Sequence, residues 1–166
     1  MTPRAQVEAF LREQPGLFAG VPDENGAGLQ LFETGTGKSL HVEWADLTDA
    51  VLRRTSLRPA PYLVLVFQDG RQVALADVGF AFAPSIASTG PLPDLPQTFC
   101  FTDFRHLAQG IEAILLEEGR EREALSALLL AIALLDGARV AGFEVGREER
   151  TLMGLLRRLE ERGIRV

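Results

Sequence analysis

The chain has 166 residues, 46% of them apolar, with 17 basic and 23 acidic side chains and a net charge of −6. That length and apolar share fit one domain, residues 1–166, with a sizeable core, and the acidic balance argues against the basic face that nucleic-acid binding needs. Cys100 is the single cysteine, so neither an intrachain disulfide nor a cluster of thiolate metal ligands can form within one chain.

Lys38 is the only lysine among the basic residues. That arginine bias, with many Ala, Leu and Gly, points to a GC-rich bacterial genome. The first residues carry no basic segment followed by an apolar run, so no signal peptide is expected and the cytoplasm is the expected location.

Thr2 and Pro3 predict a helix start, with Thr at the N-cap and Pro at the first helical position. Val7, Phe10 and Leu11 make its apolar stripe, and Pro15-Gly16 ends it. Residues 21–28 (VPDENGAG) are turn chemistry. Residues 29–44 predict a hairpin. Leu29 and Leu31 alternate with Gln30, and Leu40, Val42 and Trp44 alternate with His41 and Glu43, a period of two. Trp44 is expected in the core. Asp46 is placed to cap a short helix over 47–55, carrying Leu47, Val51 and Leu52 inward.

Residues 62–67 (YLVLVF) predict a central strand, and Asp69-Gly70 predicts a type I′ hairpin turn. Val73 and Leu75 are in phase on the return strand. Val78, Phe80 and Phe82 have the opposite phase, which predicts a β-bulge or break at 77–79. Pro91, Pro93 and Pro96 exclude regular structure over 85–97 and predict a long surface crossing.

Thr102 or Asp103 is expected to cap the next helix, with Phe104, Leu107, Ala108, Ile111 and Leu115 on its buried face and Gly119 closing it. A second helix within residues 122–143 follows almost at once, so the two should pack antiparallel. From position 124 to 135 every residue but Ser126 is apolar, at all angles around the helix. That predicts a fully buried helix. The run is shorter than the roughly 20 residues a bilayer requires, so no membrane is implied. Gly142 is expected just past the end of this helix. The last helix should span about 147–162, with Leu152, Leu155, Leu156 and Leu159 on one face and Gly163 beyond it. Strands grouped before helices predict an α+β fold. It would have an antiparallel sheet of about four strands against a C-terminal helical layer with one fully buried helix.

Residues 33–39 (ETGTGKS) resemble the phosphate-binding loop of P-loop ATPases through Gly35, Gly37, Lys38 and Ser39. The resemblance implies a nucleotide site. Phe32, however, stands where the motif needs a small residue, and LHVEW continues as a strand instead of opening a helix toward the phosphates. A Gly-rich hairpin turn without cofactor is the expectation. Residues 118–135 resemble part of a tetratricopeptide repeat at Gly119, Ala124 and Ala131. One partial unit falls short of the roughly three that a solenoid needs, so an ordinary helical hairpin is expected.

His41 and His106 are the only histidines. Asp103 and His106 stand three apart on one helix, a spacing at which a carboxylate can orient an imidazole for proton transfer. Cys100 would be the nucleophile, but its apolar neighbours (FCF) predict a buried, inert thiol. No catalytic set results. Two histidines without carboxylates at ligand spacing predict no metal site.

Pro91, Leu92, Pro93 and Leu95 form an apolar, proline-stiffened loop that either folds back over the sheet or offers a docking surface. Leu116 lies off the buried face of its helix and Met153 sits at the edge of the last helix's stripe. These leftover apolar residues predict a patch that a two-fold dimer would bury. The order helix, strands, helix, hairpin, helices is similar to that of acidic secretion-chaperone-like proteins, which dimerise and hold a partner. The resemblance implies a non-catalytic, adaptor- or chaperone-like cytoplasmic protein that binds another protein. The alternatives are a small nucleotide-binding or hydrolytic enzyme, using Gly35 to Ser39 or Cys100 with His106, and a structural subunit of a homo-oligomer.

Overall fold

The alternation at 29, 31, 40 and 42 puts four apolar side chains on one side of a sheet. The structure, a computed structural model, describes residues 1–55, 58–82 and 99–164. Helix α1 (Pro3–Glu13) is followed by β1 (Phe18–Pro22), β2 (Gly28–Glu33) and β3 (Ser39–Glu43), which form an antiparallel sheet in the order β1-β2-β3. A 3-10 turn (Trp44–Asp46) leads into β4 (Leu47–Thr55), β5 (Arg58–Phe67), β6 (Gln72–Ala76), β7 (Gly79–Phe82) and β8 (Phe99–Cys100), an antiparallel sheet in chain order. Helices α2 (Phe101–Leu115), α3 (Glu121–Val140) and α4 (Gly146–Glu161) complete an α+β fold with its helical layer at the C-terminal end.

The α+β class and the hairpin over residues 29–44 are as the sequence predicts, but among the described residues the strands number eight, in two sheets. Three strand assignments differ from expectation, the shortest being β8, where the sequence predicts no strand. Residues 18–22 form β1, taking 21 and 22 out of the turn expected over 21–28; Phe18 is buried while the next four are exposed, a pattern with no period-two signal. The helix expected over 47–55 is instead β4. Its register against β5 shifts between Leu47 and Asp49, so that Leu47 and Ala50 reach the core three positions apart. That spacing imitates a helix. Ladder hydrogen bonds to β5 and the packing of α1 on β4 outweigh local propensity.

The apolar run of β5 reflects a sheet buried on both faces. Leu63, Leu65 and Phe67 enter the main core, while Tyr62 and Val64 join a second buried cluster with Ala74, Ala76 and Ala81. Gly70 alone takes a left-handed φ in the β5–β6 connection. The loop is therefore a three-residue one with a glycine bulge, and not the type I′ turn expected, which needs two such residues. The predicted break at 77–79 is a two-residue hairpin pairing Ala76 with Gly79 and Leu75 with Phe80. Antiparallel partners of opposite parity explain the phase reversal.

Five phenylalanines join both sheets to the helical layer. Phe18 of β1 contacts Phe80 of β7, Phe80 and Phe82 contact Phe143 before α4, and Phe101 of α2 contacts Phe82 and Phe143, at centroid distances of 5.0 to 6.0 Å. Such tilted and edge-on pairs each add about 0.5–1.5 kcal/mol beyond area burial.

The helix ends follow their sequence signals, with one change. Thr2 Oγ1 accepts the Ala5 N–H, as predicted for an N-cap. In α2 the cap is Cys100. Asp103 sits one turn in and accepts the Cys100 N–H at 2.9 Å, so it closes the helix start from inside rather than capping it itself. Gly142, with φ of +100°, ends α3 in a Schellman closure: Phe143 N–H bonds the Ala138 carbonyl and Gly142 N–H that of Arg139. Gly163 repeats this arrangement after α4.

The expectation of a fully buried helix is not met. Ala124, Leu128, Ala131, Leu135 and Ala138 bury one face of α3, spaced alternately four and three apart. Leu129, Leu130 and Ile132 are 49%, 43% and 40% exposed. Among the described residues α3 packs chiefly against α2 and α4, and these two neighbours do not cover a helix that is apolar all round.

Candidate functional site

The exposed flank of α3 lies beside α4. Leu152, Leu155 and Leu159 seat α4 on the core, which turns Met153, 58% exposed, outward on the adjoining surface. Between the two helices runs a groove of about 500 Å³ lined by Leu129, Ile132, Leu135, Leu152, Met153 and Leu156. Its rim is charged. Arg139 bonds Asp136 at 3.4 Å on its own helix and pairs closely with Glu149 of α4. Of the residues expected to bind a partner, Leu116 is exposed just past α2 but does not line this groove. Met153 does line it. Pro91, Leu92, Pro93 and Leu95 lie outside the described residues. The sequence signal for Leu129 and Ile132 was present, since an all-round apolar helix must either be enclosed or leave a face in water.

The Gly-rich string forms the turn between β2 and β3, as expected. The Glu33 N–H bonds the Lys38 carbonyl at 2.8 Å, and Gly37 has φ of +72°. The following strand β3 offers no helix N-terminus, but the fold brings one from elsewhere. The start of α4, with Arg147 and Arg150, faces Thr36, Gly37 and Lys38 across a polar pocket of about 360 Å³. Lys38 is already engaged there. Its ammonium pairs closely with the buried Glu148 carboxylate and lies 4.3 Å from the centre of the Phe101 ring. The second oxygen of Glu148 has no hydrogen-bond partner among the described residues.

Cys100 and His106 do not assemble a nucleophile and base. Cys100 is buried, and its thiol donates to Asp103 at 3.4 Å. Burial raises its pKa, and the Asp103 charge adds to that, against lowering hydrogen bonds from the backbone. Asp103 therefore turns to Cys100, and His106 remains exposed on α2.

His41 belongs to a different cluster. Its Nε2 lies 2.8 Å from Asp23 Oδ2, and one ligand atom each of Asp23, His41 and Glu43 falls within 4.8 Å of the others. The expectation that no carboxylates stand at ligand spacing overlooked this set. His41 and Glu43 are two apart on a half-buried strand, hence on one face, which was a usable sign. Asp23 comes from the preceding turn, and only strand register brings it there.

No known protein family, curated protein or solved structure matches the chain. Among the described residues no helix is long and apolar enough to cross a membrane.

Proposed function

We propose that this chain is a non-catalytic, protein-binding domain of adaptor or chaperone-like character in a bacterial cytoplasm. In this reading the α3–α4 groove is its interaction surface and a second copy of the chain covers it. One observation carries the reading: Leu129, Ile132 and Met153 are 40–58% exposed side by side around a groove. Clustered apolar residues on a soluble domain mark an interaction site more often than single exposed ones do. A two-fold contact sets the same patch against itself. The rim supports self-matching, because Asp136, Arg139 and Glu149 supply both signs of charge. Nucleic acid is not a partner in this reading, given the net charge of −6.

Sedimentation equilibrium at tens of micromolar tests the proposal. The parent chain is expected to sediment as a dimer and Met153→Glu as a folded monomer. A parent chain of monomer mass removes the second copy as occupant.

A second reading, a phosphate-binding enzyme, draws on the pocket between the Gly-rich turn and α4, with Lys38, Arg147 and Arg150 along it. Against it stands Glu148, which neutralises Lys38 and would repel an anion at short range.

A further inference from the structure

The three donor atoms on the β1–β2–β3 sheet come together by construction. Leu40 and Val42 of β3 are buried, so His41 and Glu43 both project from the opposite, solvent-facing side. Asp23 follows β1 in a turn held by backbone bonds. Its N–H bonds the Gly28 carbonyl at 3.1 Å, and its own carbonyl accepts the Gly26 N–H at 3.0 Å. The register places Gly28 opposite Glu43 and Gln30 opposite His41. Gly28 thus lies between the turn and the two β3 donors.

Gly28 also leaves the space in which they meet. A Cβ at this position would stand 2.6 Å from Asp23 Oδ2 and 3.2 Å from His41 Nε2. It would also stand 2.6 Å from the Val42 carbonyl, so a side chain here would press on β3 as well as on Asp23 and His41. Glu43 completes the set and makes no ion pair among the described residues, although it stands beside a histidine and an aspartate.

We propose that Asp23, His41 and Glu43 bind one divalent first-row metal ion, with its remaining positions open to water. The donor chemistry selects the class. Two carboxylate oxygens and one imidazole nitrogen suit Zn²⁺ and its neighbours, whereas Mg²⁺ and Ca²⁺ favour all-oxygen sites. The geometry needs little change. Around an ion with bonds of roughly 2.0–2.2 Å, neighbouring ligand atoms stand roughly 3–3.5 Å apart. Asp23 and His41 are already at 2.8 Å. The outermost atoms, within 4.8 Å, close by rotation of the exposed His41 and Glu43 side chains toward the half-buried Asp23. The ion replaces the Asp23–His41 hydrogen bond and cancels the mutual repulsion of Asp23 and Glu43. The site shares no residue with the α3–α4 groove, so it stands or falls independently of the dimer.

The test uses the full chain freed of metal with EDTA, titrated with Zn²⁺ by isothermal calorimetry, with far-UV circular dichroism to confirm each variant's fold. One ion per chain is expected to bind, and Zn²⁺ is expected to raise the melting temperature reversibly. Asp23→Asn, His41→Ala and Glu43→Gln should each weaken binding at least tenfold, while His106→Ala, which removes the other histidine, should leave it unchanged. Mg²⁺ in millimolar excess should not displace Zn²⁺. Absence of saturable Zn²⁺ binding overturns the proposal. So does parental affinity in Glu43→Gln and His41→Ala, because those two exposed strand residues can change without disturbing the turn.

Discussion

The Glu33 carboxylate at the end of β2 accepts the backbone N–H of Phe80 in β7 at 3.0 Å, a hydrogen bond from one sheet to the other. Glu33 is 9% exposed, and its carboxylate lies against Gly79, where an added Cβ would collide with it. The Glu33→Ala variant should leave a buried N–H without a partner, costing about 1–3 kcal/mol. For a chain of this size each kcal/mol lowers the melting temperature by about 2–4 °C. Glu33→Gln keeps an acceptor and should cost less. Gly79→Ala should be worse than either, because φ is +103° there and the Cβ meets the carboxylate. Differential scanning calorimetry ranks the three, and a Gly79→Ala chain as stable as the parent contradicts the arrangement.

Lys38 and Glu148 tie the β2–β3 turn to α4. Removing one member of a largely buried pair leaves the other charge uncompensated, a loss of about 3 kcal/mol or more. Lys38→Ala should therefore lower the urea midpoint. Lys38→Met combined with Glu148→Leu should recover much of the loss, because no lone charge remains. Since Lys38 is engaged, Mg²⁺-ATP should not shift the melting temperature of the parent chain. A true site at 100-fold excess over its Kd would stabilise by about 2.7 kcal/mol, and a shift abolished by Lys38→Ala would favour the enzyme reading.

Leu116 is 81% exposed at the end of α2, outside the α3–α4 groove. Leu116→Glu should change stability by less than about 0.5 kcal/mol, as surface substitutions do. If the dimer forms through the groove alone, Leu116→Glu should also leave it intact while Ile132→Glu dissociates it. Comparing the two variants by size-exclusion chromatography with light scattering locates the interface. Dissociation by Leu116→Glu would move it to the α2 end.

The Cys100 thiol has its pKa raised by burial. It should react with a disulfide reagent far more slowly in the native protein than in urea, and rapid native labelling would show an open site. The raised value also sets a pH dependence. The folded state holds the proton more tightly than the unfolded chain, so this contribution is fully present below the unfolded thiol pKa, about 8.5. It is lost as pH rises through the higher folded value. Cys100→Ala should flatten the alkaline limb of the stability profile if the thiol causes it.

What the sequence by itself determined were features whose cause lies within a few residues. Alternation marked β2 and β3, and a continuous apolar run marked β5. Thr2-Pro3, Gly142 and Gly163 marked helix ends, and the phase reversal after Leu75 marked the turn to β7. What only the tertiary structure decided depended on partners far along the chain. A register shift makes β4 imitate a helix, and the number of helices packed on α3 leaves Leu129 and Ile132 in water. Asp23 meets His41 across 18 positions, and Lys38 meets Glu148 across 110. Local periodicity is imposed by backbone geometry and can be read in a short window. Which distant side chains share a site depends on strand register and helix packing, and these minimise the free energy of the whole chain at once.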